Sequence, residues 1–137
     1  MPKELIHTMI RVLDEERSLA FYRALGFEER GRARVGGDTA TVIFLGLPGD
    51  GAKLELTLND GRTDAYSQGE GYGHIALTTD GTMEEELARL AAGGIQPERE
   101  PYAPYPGGPK ICFVRDPDGY RIELLERNPE EGFGGRS

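Results

Sequence analysis

Tryptophan is missing, cysteine occurs once, histidine only twice, and neither lysine nor arginine forms a run anywhere in the 137 residues. Each scarcity excludes something. A single thiol, Cys112, cannot close an intramolecular disulfide, so the chain is no stapled extracellular scaffold and suits a reducing compartment. No apolar stretch approaches the ~18 residues that a membrane span needs. The opening Met1-Pro2-Lys3-Glu4-Leu5-Ile6 lacks the apolar core of a signal peptide. A cytoplasmic protein with no membrane attachment is expected. Sixteen basic side chains against 24 acidic ones give a formal net charge of −8, the wrong sign for nucleic acid, whose phosphates demand a basic surface. The same field repels an anionic small molecule, which would need local cations to bind.

What is present is a repeat. A length within the roughly 100–200 residues of one domain is written as two halves with one plan. Residues 5–12 are β-branched and apolar and read as a strand, and 14–25 place Leu19 and Tyr22 at helical spacing before Gly26 stops the helix. Strand-like runs follow at 27–34, 40–47 and 53–58, separated by Gly36-Gly37-Asp38 and Pro48-Gly49-Asp50-Gly51. The second half repeats this: a strand at 73–79, a helix at 82–92 ended by Gly93-Gly94, a short strand at 95–100, then runs at 110–115 and 120–126. Asp116-Pro117-Asp118-Gly119 lies between those last two as a hairpin turn. The segments 60–72 and 101–109 read as loops. Both halves therefore spell β-α-β-β-β, over about 4–59 and 71–127 of a single domain at 1–127, with a disordered tail at 128–137.

The two histidines sit on the first strand of each half, and a glutamate sits on each last strand. His7 and Glu55 are 48 residues apart, and His74 and Glu123 are 49 apart. Strand alternation sets Glu55, Thr57 and Asn59 on one face with the leucines opposite, and His7, Met9 and Arg11 on one face of the first strand. Any one of these four side chains alone suits a structural role or a solvated face. Two occurrences of the same order, imidazole then carboxylate, point instead to a ligand set. Two imidazoles and two carboxylates suit a borderline divalent ion and leave it positions for substrate oxygens.

Five segments taken in order, His7-Thr8-Met9-Ile10-Arg11-Val12, Ser18-Leu19-Ala20-Phe21-Tyr22, Leu54-Glu55-Leu56-Thr57, Gly71-Tyr72-Gly73-His74-Ile75-Ala76-Leu77 and the run from Asp116 to Leu124, closely resemble glyoxalase I, of the vicinal oxygen chelate superfamily. The resemblance implies an α+β fold in which two βαβββ modules form a curved mixed sheet. It also implies a homodimer with active sites between chains, His7 and Glu55 from one and His74 and Glu123 from the other. It implies one divalent metal ion per site, with nickel the first choice and cobalt or zinc the others. The implied reaction isomerises the hemithioacetal of methylglyoxal and glutathione to S-lactoylglutathione through an enediolate. Glu123 resembles the main base, and Glu55 holds the matching place on the opposite side. Arg11 and Asn59 resemble residues that grip the γ-glutamyl end of glutathione.

This chain departs from the family in two places. Glu70 stands where animal enzymes carry a basic residue, and Tyr105-Pro106-Gly107-Gly108 stands where many bacterial relatives carry Lys-Gly-Gly. Lys110 is the nearby cation, and Tyr102 and Tyr105 are candidates to cap a pocket. Another small thiol is therefore an open partner. The competing readings are an acyl-thioester epimerase, which would carry Gln in place of Glu55; an extradiol dioxygenase, with two His and one Glu; and a metal-free antibiotic-binding protein, which needs none of the four donors.

Overall fold

The computed structural model describes residues 1–127; the expected disordered tail at 128–137 lies outside them. The elements follow in the order β1 (Thr8–Arg11), α1 (Glu15–Ala24), β2 (Glu28–Val35), β3 (Ala40–Gly46), β4 (Leu54–Asn59), β5 (Ile75–Thr78), α2 (Met83–Ala92), β6 (Lys110–Arg115) and β7 (Arg121–Glu126). They fall into two compact units that divide between Gln68 and Gly69.

The first unit holds a four-stranded sheet in the order β1-β4-β3-β2. β1 runs parallel to β4, and the other neighbours are antiparallel. Its buried apolar side chains include Val12, Leu19, Phe21 and Tyr22 with Ile43, Leu45, Leu54 and Leu56. Burying a side chain of this kind contributes roughly 1.5–3 kcal/mol relative to leaving it in water. Asp14 caps α1 by accepting the Arg17 backbone N–H at 2.9 Å. Glu15 and Glu16 in the first turn and Arg23 in the last complement the helix dipole. Gly26 follows at φ 105°, a left-handed conformation that a side chain would resist. The strand expected from residue 5 begins only at Thr8, and Leu5 and Ile6 before it are 78% and 68% exposed.

The second unit holds a three-stranded sheet, β5-β7-β6, again with one parallel and one antiparallel pair. Its helix α2 packs against β7 and opens on the reciprocal cap that Thr82-Met83-Glu84-Glu85 encodes. Thr82 Oγ1 accepts the Glu85 N–H at 3.1 Å, and Glu85 Oε1 accepts the Thr82 N–H at 2.9 Å. Glu126 of β7 takes a further helix-start donor, the Met83 N–H, at 2.9 Å. Gly94, at φ 83°, lies past the end of α2 as Gly26 lies past the end of α1. The hairpin turn is closed by Asp116, whose Oδ1 accepts the N–H groups of Asp118 and Tyr120, both at 2.9 Å.

One expected element is absent from the described residues. Residues 95–100 form no strand; what remains of the pairing is the Glu98 N–H donated to Phe113 O at 2.9 Å and a single bridge between Tyr102 and Ile111. Pro97 and Pro101 lack the N–H groups a continuous ladder needs, which accounts for the reduction. The modules therefore read βαβββ and βαββ, an α+β arrangement of two small mixed sheets and two helices.

Candidate metal centre

The parallel pairings place the histidines. β1 and β4 align with Met9 opposite Glu55, and β5 and β7 align with Ala76 opposite Glu123. His7 lies two residues before Met9, and His74 lies two before Ala76. A period of two then brings each imidazole to the face of its glutamate. His7 Nε2 is 2.8 Å from Glu55 Oε1, and His74 Nε2 is 3.2 Å from Glu123 Oε1. Both carboxylates are 14% exposed, and the imidazoles are 32% and 41% exposed. The donors are thus recessed in their sheets but open on one side.

Each pair has an aromatic neighbour that strand patterning alone did not single out. Phe44 stands opposite Glu55 across the antiparallel β3–β4 pairing, and Phe113 stands opposite Glu123 across β6–β7. Their rings meet the imidazoles edge-on, with centroids 5.8 Å apart for His7–Phe44 and 5.2 Å for His74–Phe113. The signal was available as a second repeat: Phe44 precedes Glu55 by 11 residues, and Phe113 precedes Glu123 by 10.

Around the second pair the support is ionic as well. The Arg121 guanidinium lies 3.9 Å from the centroid of the Phe113 ring and binds Glu98 through two parallel hydrogen bonds of 3.0 Å. Arg115 Nε adds a contact to Glu98 at 2.8 Å. The Arg121 guanidinium holds the Glu98 carboxyl below the usual carboxylate range, and Glu98 in turn raises Arg121. Tyr72 donates its hydroxyl to Arg121 O at 3.0 Å, and burial, with Asp116 nearby, pushes that phenol up to about 12. It stays protonated near neutral pH and is no base.

The remaining site candidates separate. Arg11 sits in β1 opposite Thr57, on the face of Met9 and Glu55. Asn59 ends β4 on that same face and donates its amide to Tyr66 Oη at 3.0 Å, while Arg62 covers the Tyr66 ring at 4.0 Å. Tyr102 packs on the cluster of Ile111, Phe113 and Leu125, the face that carries Glu123. Lys110 is not brought to that face. Alternation turns it the other way, and its Nζ pairs with Glu84 of α2 at 3.1 Å, which raises the ammonium and lowers the carboxyl. Tyr105 is 49% exposed and lies over Gly108, where a Cβ would come within 2.8 Å of its ring. Glu70 is exposed.

Imidazole nitrogen beside carboxylate oxygen is the donor chemistry of a borderline divalent ion, and it occurs in both modules at near-contact distance. Among the described residues no group of three or more His, Cys, Asp or Glu is gathered; each module presents one imidazole–carboxylate pair. The chemistry of each pair, one nitrogen and one oxygen donor, fits part of the ligand set of such an ion.

The chain resembles known proteins. The family described as the Glyoxalase/Bleomycin resistance protein/Dioxygenase superfamily matches residues 4–124. The lactoylglutathione lyase of Haemophilus influenzae is 38% identical over 137 residues, covering 96% of this chain and 98% of that protein. Among solved structures, the trypanothione-dependent glyoxalase I of Leishmania major is similar with a TM-score of 0.75 at 38% identity, over 91% of this chain and 87% of that one. Glyoxalase I from Zea mays is similar with a TM-score of 0.79 at 31% identity; 90% of this chain is covered, against 44% of the maize chain. By sequence and by fold, the chain belongs to the glyoxalase, bleomycin resistance protein and dioxygenase superfamily.

Proposed function

We propose that this chain is a lactoylglutathione lyase of the glyoxalase I type, which isomerises the hemithioacetal of methylglyoxal and glutathione, or another small thiol, to the S-lactoyl thiol in 2-oxoaldehyde detoxification. The observation that carries the reading is the doubled His–Glu pair in matching strand registers, on a chain 38% identical to a lactoylglutathione lyase over nearly its whole length. The family implies a divalent metal cofactor. His7 and Glu55 of one protomer and His74 and Glu123 of the partner subunit hold it in a homodimer, and the enzyme works in the cytoplasm. Nickel is the first choice, because the chain resembles the short bacterial forms that lack extra loops; cobalt and zinc follow.

When bound, the ion supplies Lewis-acid stabilisation of the negative charge that develops on the substrate oxygens. The chain's own work is a proton shift between adjacent carbons. A carboxylate oxygen of Glu123 takes the C–H proton and returns it to the neighbouring carbon, and Glu55 shares this work from the other module. Phe44 and Phe113 line the imidazoles with apolar surface and hold them edge-on. Arg11 and Asn59 take the γ-glutamyl end, with Asn59 held by Tyr66. The thiol is the open term: the Leishmania major relative is trypanothione-dependent, and Lys110 is engaged with Glu84.

The test is an assay of S-lactoyl thiol formation on apo protein refilled with Ni²⁺, Co²⁺ or Zn²⁺, given methylglyoxal with glutathione and then with other thiols. Turnover that returns with metal is the expected result. No product with any of the three ions and any thiol would contradict it, and a purified protein that takes up no stoichiometric metal would favour a binding role.

A further inference from the structure

The second module contains a closed ring of contacts that ligation does not require. The Glu98 backbone N–H is donated to Phe113 O at 2.9 Å, and its carboxylate receives both arms of the Arg121 fork. That guanidinium covers the face of the Phe113 ring at 3.9 Å. Phe113, only 6% exposed, meets the His74 imidazole edge-on and stands opposite Glu123. Each contact fixes the next, and the chain of them ends on the two donors. In the first module the residue at the same offset, two before the glutamate, is Lys53, whose ammonium pairs with Asp50 at 3.1 Å.

From this ring of contacts we infer that Arg121 is a positioning residue, which sets the His74 ring through Phe113 and so pre-organises one half of the ligand set. The inference rests on His74 and Glu123 being metal ligands. A guanidinium does this better than an ammonium, because its planar fork fixes its own plane against Glu98 while its face lies on the ring. Residues that orient metal ligands in this way commonly change metal affinity by about 10–100-fold. A surface ion pair with no such role changes it hardly at all.

The experiment compares wild type, Arg121→Ala, Arg121→Lys and His74→Ala as purified full-length apo proteins at matched oligomeric state. Three quantities are read: Ni²⁺ affinity by competition with a chromophoric chelator, melting temperature without metal, and kcat and KM with metal saturating. Arg121→Ala is expected to bind Ni²⁺ about tenfold or more weakly while its apo melting temperature stays near wild type, with the loss of turnover in kcat rather than KM. Arg121→Lys should recover part of the affinity. Wild-type Ni²⁺ affinity in folded Arg121→Ala, or a change confined to KM, would overturn the proposal. If Arg121→Ala does not fold, Glu98→Gln, which weakens the fork but leaves the arginine in place, must shift affinity the same way; no shift overturns it too. Wild-type affinity in His74→Ala would instead sink the ligand reading beneath it.

Discussion

In the first module Glu55 stands between Met9 and Phe44 in a four-stranded sheet, and in the second Glu123 stands between Ala76 and Phe113 in a three-stranded one. The register around the donors is the same in both; almost everything around it differs. Arg11 and Asn59 share the face of Glu55, whereas Glu123 has Arg121 locked to Glu98 beside it. The long β2 of the first module corresponds to a lone bridge at Tyr102 in the second. What the repeat preserves is the distance from imidazole to carboxylate and the ring beside it. On the proposed roles the flanks specialise, one toward holding substrate and one toward steadying a ligand pair.

That division makes the modules unequal in a measurable way. The largest effect is expected from Glu123→Gln, which removes the proposed base and should lower kcat by about 10²–10⁴-fold while elemental analysis still finds metal. Glu55→Gln should cost less turnover, and equal losses would erase the functional difference between the halves. Next come the matched core truncations Leu56→Ala and Leu124→Ala, at 0% and 1% exposure. Each should destabilise by about 2–5 kcal/mol in urea titrations; a cost under about 1 kcal/mol for Leu124→Ala would mean the smaller sheet is loosely packed. Thr82→Ala breaks the reciprocal cap of α2 and should cost about 1 kcal/mol, against a similar or smaller loss for Asp14→Ala, whose cap has no return bond. The smallest effect concerns acid. Arg121 depresses the Glu98 carboxyl, so its stabilisation is present above the unfolded value of about 4.3 and is lost as pH falls through the folded value. Glu98→Gln should therefore flatten the acid limb of the stability curve; an unaltered limb would show that the fork contributes nothing.

Much of this was legible in residues. Gly26 and Gly94 marked both helix ends, and nearly equal His-to-Glu separations disclosed a shared register before any pairing was known. Where reading from pattern stopped short, a tertiary or local backbone effect had intervened. Residues 95–100 look extended, but Pro97 and Pro101 deny the ladder its donors. Lys110 looks near the site in sequence, yet one step of strand alternation puts it on the face of Glu84. Phe44, Phe113 and Arg121 carry no metal-ligand chemistry of their own, so residue type did not single them out, and register and alternation bring them beside the donors.

The most direct measurement is the metal content of wild type, His7→Ala and His74→Ala after loading with Ni²⁺ and dialysis. If both pairs serve one ion, either substitution alone should strip the bound metal well below the wild-type stoichiometry. Wild-type metal content in either variant would show that the two modules do not share a centre.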